Sequence, residues 1–173
     1  PADTKQILII GSGFAGLCMA IKLREQGIEN FQILERGPDV GGTWRDNHYP
    51  GCACDVQSHL YSFSFEPNPE WTRMFARQPE IKAYLENCAS KYDLRRHIVF
   101  GANVQQARYD DKAATWTVTT ADGRSYTANV LVSGMGGLSN PAMPNVKGLE
   151  SFKGKAFHSA HWDHSYDLSG KKI

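Results

Sequence analysis

The stretch Lys5-Gln-Ile-Leu-Ile-Ile-Gly11-Ser-Gly13-Phe-Ala-Gly16-Leu-Cys-Met-Ala-Ile-Lys-Leu-Arg-Glu-Gln26 decides the fold. It begins with a continuous apolar run, Ile7 to Ile10, of the kind a strand buried on both faces requires. The run leads straight into three glycines spaced Gly-x-Gly-x-x-Gly. Leu17, Ala20, Ile21 and Leu23 then share one helical stripe, and Gly27 stands where a helix ends in a left-handed residue. A second strand follows at 31–34, with Glu35 at its tip. Each part has a task in holding a dinucleotide. Gly11 makes the tight turn, Gly13 lets the backbone approach a pyrophosphate, and Gly16 lets the helix lie close to the sheet. Phe14 and Ala15 belong to the helix start, whose free N–H groups attract phosphate charge. Glu35, 19 residues beyond Gly16, can accept hydrogen bonds from ribose hydroxyls, and its charge repels a 2′-phosphate. A glycine triplet alone is a weak signal, but strand, triplet, helix, strand and acid in order point to an adenine dinucleotide.

The totals set bounds on everything else. A chain of 173 residues is one ordinary domain, long enough to bury roughly 70% of its unfolded surface. Hydrophobic content of 41% and charged content of 21% describe a globular chain. A net charge of +1 gives no reason to expect nucleic acid or an anionic membrane as partner. No apolar run approaches the roughly 18 residues that span a bilayer, and no basic-then-apolar leader is visible, so a cytoplasmic setting is expected. Pro1 without a methionine says only that the true start is not shown. Cysteines 18, 52, 54 and 88 do not form a disulfide framework, and Cys52-x-Cys54 lacks the second pair that a zinc ribbon needs.

Residues 36–78 are rich in glycine, proline and aromatics with little period. A nicotinamide dehydrogenase would continue here with another compact helix–strand unit, whereas a long structureless loop inside a domain is usually functional. Within it stands Gly41-Gly-Thr-Trp-Arg-Asp-Asn-His-Tyr-Pro-Gly-Cys-Ala-Cys-Asp55. Through Gly41, Gly42, Trp44, Tyr49, Pro50, Gly51 and Asp55 this stretch resembles the fingerprint of the class B flavoprotein monooxygenases, and of the Baeyer–Villiger monooxygenases among them. That fingerprint runs Gly-Gly-x-Trp, four residues, Tyr or Phe-Pro-Gly, three residues, Asp. A glycine–proline turn with packed aromatics accounts for the composition but not for the matches in register.

The resemblance implies that Gly42, Thr43 and Trp44 line FAD and that Tyr61 touches the flavin side. It implies too that Asp55 sits where the nicotinamide of NADPH arrives, orienting it and a catalytic arginine that lies outside this sequence. Arg36, beside Glu35, and Val104 complete the expected cofactor-binding set. The family's second signature, Phe-x-Gly-x-x-x-His-x-x-x-Trp followed by Pro or Asp, fits Phe152, Gly154, His158, Trp162 and Asp163. The Trp-Asp ending favours the Baeyer–Villiger branch over the N- or S-oxygenating flavin-containing monooxygenases. His158 is then implied as an interdomain coupling residue, not a proton-transfer group. His158, His161 and His164 with Asp163 could bind zinc in a loop. Their spacing does not bring them to one helical face, so no metal is assigned, and His161 and His164 are expected to be solvated.

Pro79 to Tyr92 reads as a helix with proline in its first turn and Ile81, Tyr84, Leu85, Cys88 and Tyr92 buried. Ile98-Val-Phe100 reads as a third parallel strand. The period then changes to two over 104–109, 116–120 and 125–128, with Asp122-Gly123 as a turn, an antiparallel meander in place of a crossover helix. Asn129 to Ser133 returns to the parallel sheet and ends at Gly134-Met-Gly-Gly137, glycines that allow a close backbone approach to a ligand. The expected fold is therefore α/β, a Rossmann-like FAD-binding domain with a parallel sheet and an inserted antiparallel β-meander. It is expected to occupy 1–140 with the meander at about 103–128, followed by a linker at 141–170. Residues 171–173 would then lead into an NADPH-binding domain whose fingerprint is absent from the sequence.

The resemblance implies the FAD-binding part of an NADPH- and O₂-dependent enzyme that turns ketones into esters or lactones through a C4a-peroxyflavin, a part inactive by itself. N- or S-oxygenation and a non-catalytic FAD-binding module are the alternatives. The expected partners are the ketone and O₂, and no oligomeric state follows from the sequence.

Overall fold

Residues 5–173 are described by the computed structural model; residues 1–4, with the Pro1 terminus and the start of the expected 1–140 domain, lie outside the described residues. The apolar run forms β1 (Lys5–Ile10), in which Ile7 through Ile10 are buried. Burial of consecutive residues requires cover on both faces, and two clusters supply it. Ile7 and Ile9 join the larger core beneath α1 (Phe14–Glu25) and α3 (Gln78–Lys91), while Leu8 joins Leu34, Ala102, Val118 and Ala128 on the opposite face.

Helix α1 forms where the sequence predicts it. Leu17, Ala20 and Ile21 are fully buried, and a fully buried Leu or Ile side chain stabilises by about 1.5–3 kcal/mol. The helix stops at Gly27, whose φ of 71° is open to glycine at little cost. Gly27 N donates to Arg24 O and Ile28 N to Leu23 O, both at 2.9 Å, so a Schellman pair satisfies two terminal carbonyls. Helix α3 has Pro79 in its first turn and buries Ile81, Tyr84, Leu85 and Cys88, together with Ala89; Tyr92 is only half-buried.

Among the described residues one sheet contains all six strands, in the order β3-β2-β1-β6-β5-β4. The strands β2 (Phe31–Leu34), β3 (Ile98–Val99) and β6 (Ser125–Ser133) run parallel to β1, and β5 (Thr115–Thr120) and β4 (Val104–Asp110) complete an antiparallel flank. Two expectations change here. The third meander segment and the returning parallel strand are a single nine-residue strand, β6, because Ala128 pairs with Trp116 of β5 and with Lys5 of β1 at once. The segment 36–78 is also not structureless. It contains the short helix α2 (Thr43–Asp46), a 3-10 turn at Ser58–Leu60 and a bridge between Ala53 and Arg77. Periodicity could not reveal these, since each is shorter than two helical turns.

The bridge also accounts for the two neighbouring cysteines. Cys54 N donates to Ala76 O and Gln78 N to Cys52 O, at 2.9 Å each, so both side chains turn into the core. Residues 141–173 contain two 3-10 turns, at Leu149–Ser151 and Ser159–His161, and no strand. Among the described residues, no helix is long and apolar enough to cross a membrane.

Candidate functional site

Strand β1 is followed in the chain by β2 on one side, while β6 reaches its other side only after the meander. The crevice beyond the carboxyl end of such a strand is where open α/β sheets take ligands. Here it is a cleft of about 350 Å³, lined by residues 10–15, 34–36, 41–46, 102–104 and 134–136, with Tyr61, Ser139 and Asn140.

The glycines divide into those that pack and one that opens. A Cβ on Gly16 would overlap the Gly11 carbonyl oxygen, and one on Gly134 would come 2.9 Å from Ile10 O. Gly11 has a φ of 93°, and its missing Cβ would lie 2.7 Å from Gly134 O. These three let turn, helix and strand end touch through their backbones. Gly13 differs, since the nearest atom to its Cβ position is Gly42 Cα at 3.8 Å. It caps α1 without a side-chain hydrogen bond, and no acidic residue occupies the first turn. The first helical N–H groups have no partner within the helix. Glycine space and free N–H groups together fit the pyrophosphate of a dinucleotide.

Glu35 is 3% exposed and makes four contacts. Its Oε2 accepts from Ser12 N at 2.9 Å and Ser12 Oγ at 2.7 Å. Its Oε1 accepts from Gly37 N at 2.7 Å and lies 2.8 Å from Arg45 Nη1. Burial pushes this carboxyl up, but the Gly37 and Ser12 hydrogen bonds and the Arg45 charge outweigh it and hold Glu35 below its usual value. A carboxylate offers about four lone-pair sites, and these four contacts match that number.

Gly41 N donates to Ser12 O at 3.0 Å, which ties the Gly41–Trp44 stretch to the glycine turn. Gln78 donates through Nε2 to Trp44 O and holds the same stretch from beneath. Trp44 Nε1 donates to Tyr61 Oη at 3.1 Å, with the rings edge-on at 5.6 Å. Burial, with Cys54 and Asp55 nearby, raises the Tyr61 phenol above its ordinary range despite the Trp44 hydrogen bond.

Of the residues singled out from the sequence, the structure brings Gly11, Gly13, Phe14, Ala15, Glu35, Arg36, Gly42, Thr43, Trp44, Tyr61 and Val104 onto the one cleft. Gly16 lies behind it, against the turn. Asp55 is exposed and stands outside the lining, near enough to Tyr61 for its charge to act on the phenol. His158 does not line the cleft and caps a 3-10 turn, its Nδ1 accepting from Ala160 N at 3.0 Å. His164 is exposed, as expected, and its Nε2 lies 2.8 Å from Nδ1 of His48 in the fingerprint loop. Among the described residues, no group of three His, Cys, Asp or Glu side chains could hold a metal ion. Sequence reasoning missed Ser12, Arg45, Asp46, Asn103 and Asn140. Only Ser12 carried a signal, as the small residue between two glycines that must bury beside Glu35.

Fold and cleft define a Rossmann-like dinucleotide-binding domain. The family described as NAD(P)-binding Rossmann-like domain matches residues 9–78. A Baeyer–Villiger monooxygenase of Pseudomonas aeruginosa is 58% identical over 97% of this chain and 32% of its own. A solved cyclohexanone monooxygenase bound to ε-caprolactone superposes with a TM-score of 0.88 at 38% identity, over 98% of this chain and 34% of that one. OTEMO in complex with FAD and NADP gives 0.85 at 36% identity, over 95% and 32%. The chain thus spans about a third of the length of the relatives it matches. Over that third its sequence is similar to that of Baeyer–Villiger monooxygenases.

Proposed function

We propose that the chain binds FAD and forms the FAD-binding part of an NADPH- and O₂-dependent monooxygenase that converts ketones to esters or lactones. The observation that carries this reading is the main-chain bond from Gly41 to Ser12, which joins the monooxygenase fingerprint to the dinucleotide turn. The names of the relatives, one of them bound to a lactone, support the ketone. FAD, when bound, supplies the redox and oxygen-activating chemistry, and the protein supplies binding, orientation and exclusion of water.

In this reading Gly11 and Gly13 admit the pyrophosphate, and the N–H groups of Phe14 and Ala15 donate to it. Glu35 accepts from the ribose, with Arg36 and Val104 beside the adenosine. Gly42, Thr43, Trp44 and Tyr61 enclose the flavin side, and the Trp44–Tyr61 hydrogen bond fixes both rings in one orientation. Asp55, exposed near Tyr61, orients the nicotinamide side and an arginine outside this chain. Residues 1–140 act as the cofactor domain and 141–170 as a linker in which His158 couples the domains, with 171–173 leading into the NADPH domain. The experiment is spectroscopy of the chromophore released from the purified full-length protein, followed by NADPH-dependent O₂ uptake with a cyclic ketone and a thioether. Bound FAD and a lactone product are expected. A colourless protein, or sulfoxide without lactone, overturns the proposal.

A further inference from the structure

Four charged side chains at the cleft occur as adjacent pairs, Glu35–Arg36 and Arg45–Asp46, and the pairs interlock. Arg45 Nη1 lies 2.8 Å from Glu35 Oε1, and Arg45 Nε lies 2.8 Å from Asp46 Oδ1. Arg36 Nη2 lies 3.0 Å from Asp46 Oδ2, and Arg36 Nη1 donates to Asn140 Oδ1 at 2.9 Å. Arg45 Nη1 also donates to Asp39 O at 2.6 Å. A Cβ on Gly37 would overlap the Arg45 guanidinium, so that guanidinium fills the side-chain space residue 37 lacks. Only 10% of the Arg45 side chain is exposed.

This is a built arrangement and not a surface ion pair. Exposed pairs contribute about 0–1 kcal/mol, whereas removing one partner of a buried pair strands the other charge. Position 45 is one of the four unspecified positions of the monooxygenase fingerprint, so the motif itself does not assign it. The charged groups around Glu35 are few. Arg45 touches it, Asp46 and Arg36 lie behind Arg45, and the Asp39 carboxylate turns away to Arg95 at 2.8 Å. Ser12 and Gly37 contribute neutral donors.

We propose that Arg45 is a positioning residue for the dinucleotide, fixing the Glu35 carboxylate against the glycine turn so that the ribose meets an anion of set orientation. The inference rests on the reading of the cleft as a dinucleotide site. It assigns Arg45 no contact with the ligand, because its donors are directed to Glu35, Asp46 and Asp39. Loss of the charge then acts through Glu35. A buried carboxylate without a cationic partner protonates more readily, and a protonated carboxyl is a poorer acceptor for a ribose hydroxyl.

The test compares Arg45→Met, Arg45→Lys and wild type as full-length apo-proteins, titrated with FAD and with NAD⁺ at about pH 8 and about pH 6. Wild-type affinity is expected to vary little between the two. Arg45→Met is expected to bind roughly tenfold more weakly than wild type, the scale of one charge-assisted hydrogen bond, with the loss growing as the pH falls. Arg45→Lys is expected to recover most of the loss and the flat profile. Wild-type affinity in Arg45→Met, or an equal loss at both pH values without rescue by lysine, overturns the proposal. Should Arg45→Met not fold, the lysine variant decides. Affinity within about threefold of wild type and no pH dependence supports the proposal, and a pH-independent loss larger than that overturns it. A wild type that takes NAD⁺ and not FAD overturns the flavin assignment instead, and the Arg45 effect is then read on the ligand that binds.

Discussion

Replacing Gly16 and Gly13 separately by alanine separates what the glycine turn does for the fold from what it does for a ligand. A Cβ on Gly16 would overlap the Gly11 carbonyl oxygen, standing 3.0 Å from its carbon and 3.5 Å from Ile9 Cγ2. The turn cannot withdraw, because Gly11 N is bonded to Leu34 O at 2.9 Å and Gly11 lies against Gly134 on the other side. Relief requires lifting α1 off the sheet, where Leu17 and Ile21 are fully buried. Inserting a methyl into a packed core costs about 1–3 kcal/mol, and a main-chain obstruction puts Gly16→Ala at the upper end. A domain of this size loses roughly 2–4 °C in Tm per kcal/mol, so a fall of about 6–12 °C is expected for the apo-protein.

Gly13 has a φ of −80°, which any residue adopts, and open space at its Cβ position. Gly13→Ala should therefore leave apo-protein Tm within about 2 °C, yet weaken FAD by roughly 5–150-fold, the equivalent of an overlap of about 1–3 kcal/mol. The bulkier Gly13→Val should abolish flavin retention. Thermal melts of the apo-proteins and the flavin content of the purified variants read out both. An unaltered melt for Gly16→Ala, or full flavin in Gly13→Val, refutes the reasoning.

Tyr84 donates to Glu66 O at 2.7 Å and accepts from Phe63 N at 2.8 Å, so Tyr84→Phe leaves a buried N–H unpaired. Urea titration should show a loss of about 1–3 kcal/mol. Because Glu35 is held below its usual value of 4.5, its contribution to stability is full above that pH and is lost as pH falls through the lowered value. Glu35→Gln should flatten that acid limb in melts recorded below about pH 4.5 and weaken FAD by about 1–3 kcal/mol at neutral pH. In the full-length protein, His158→Ala should retain FAD, since its side chain caps a 3-10 turn and does not line the cleft. Turnover coupled to NADPH should fall on the order of 100-fold if the linker holds the domains in register, and unimpaired coupling would remove His158 from that role.

What the sequence disclosed was local. The first strand, its turn, α1 and Glu35 are contiguous, and each step constrains its neighbour sterically. Expectations failed where two distant segments determine the answer. Ser125 to Ser133 carries two patterns, alternation where it pairs with β5 and a continuous apolar run where it lies beside β1, so it reads as two strands. Arg45 gave no signal because its surroundings come from Glu35, Gly37 and Asp39, brought close only when the loop folds back over the end of β2.

The sheet order has a consequence for how the chain is made. Strand β1 leaves the ribosome well before β6, one of its two ladder partners, which is separated from it by more than a hundred residues. At ordinary elongation rates of about 5–20 residues per second, Ile7 to Ile10 wait several seconds with one edge unpaired. The wait ends quickly once β6 emerges, since the β4–β5–β6 hairpins close on the microsecond scale and present β6 already aligned. Slowing synthesis between residues 35 and 104 should therefore lower the soluble yield more than slowing it after residue 133, because only the first prolongs the period in which an apolar edge is open to other nascent chains.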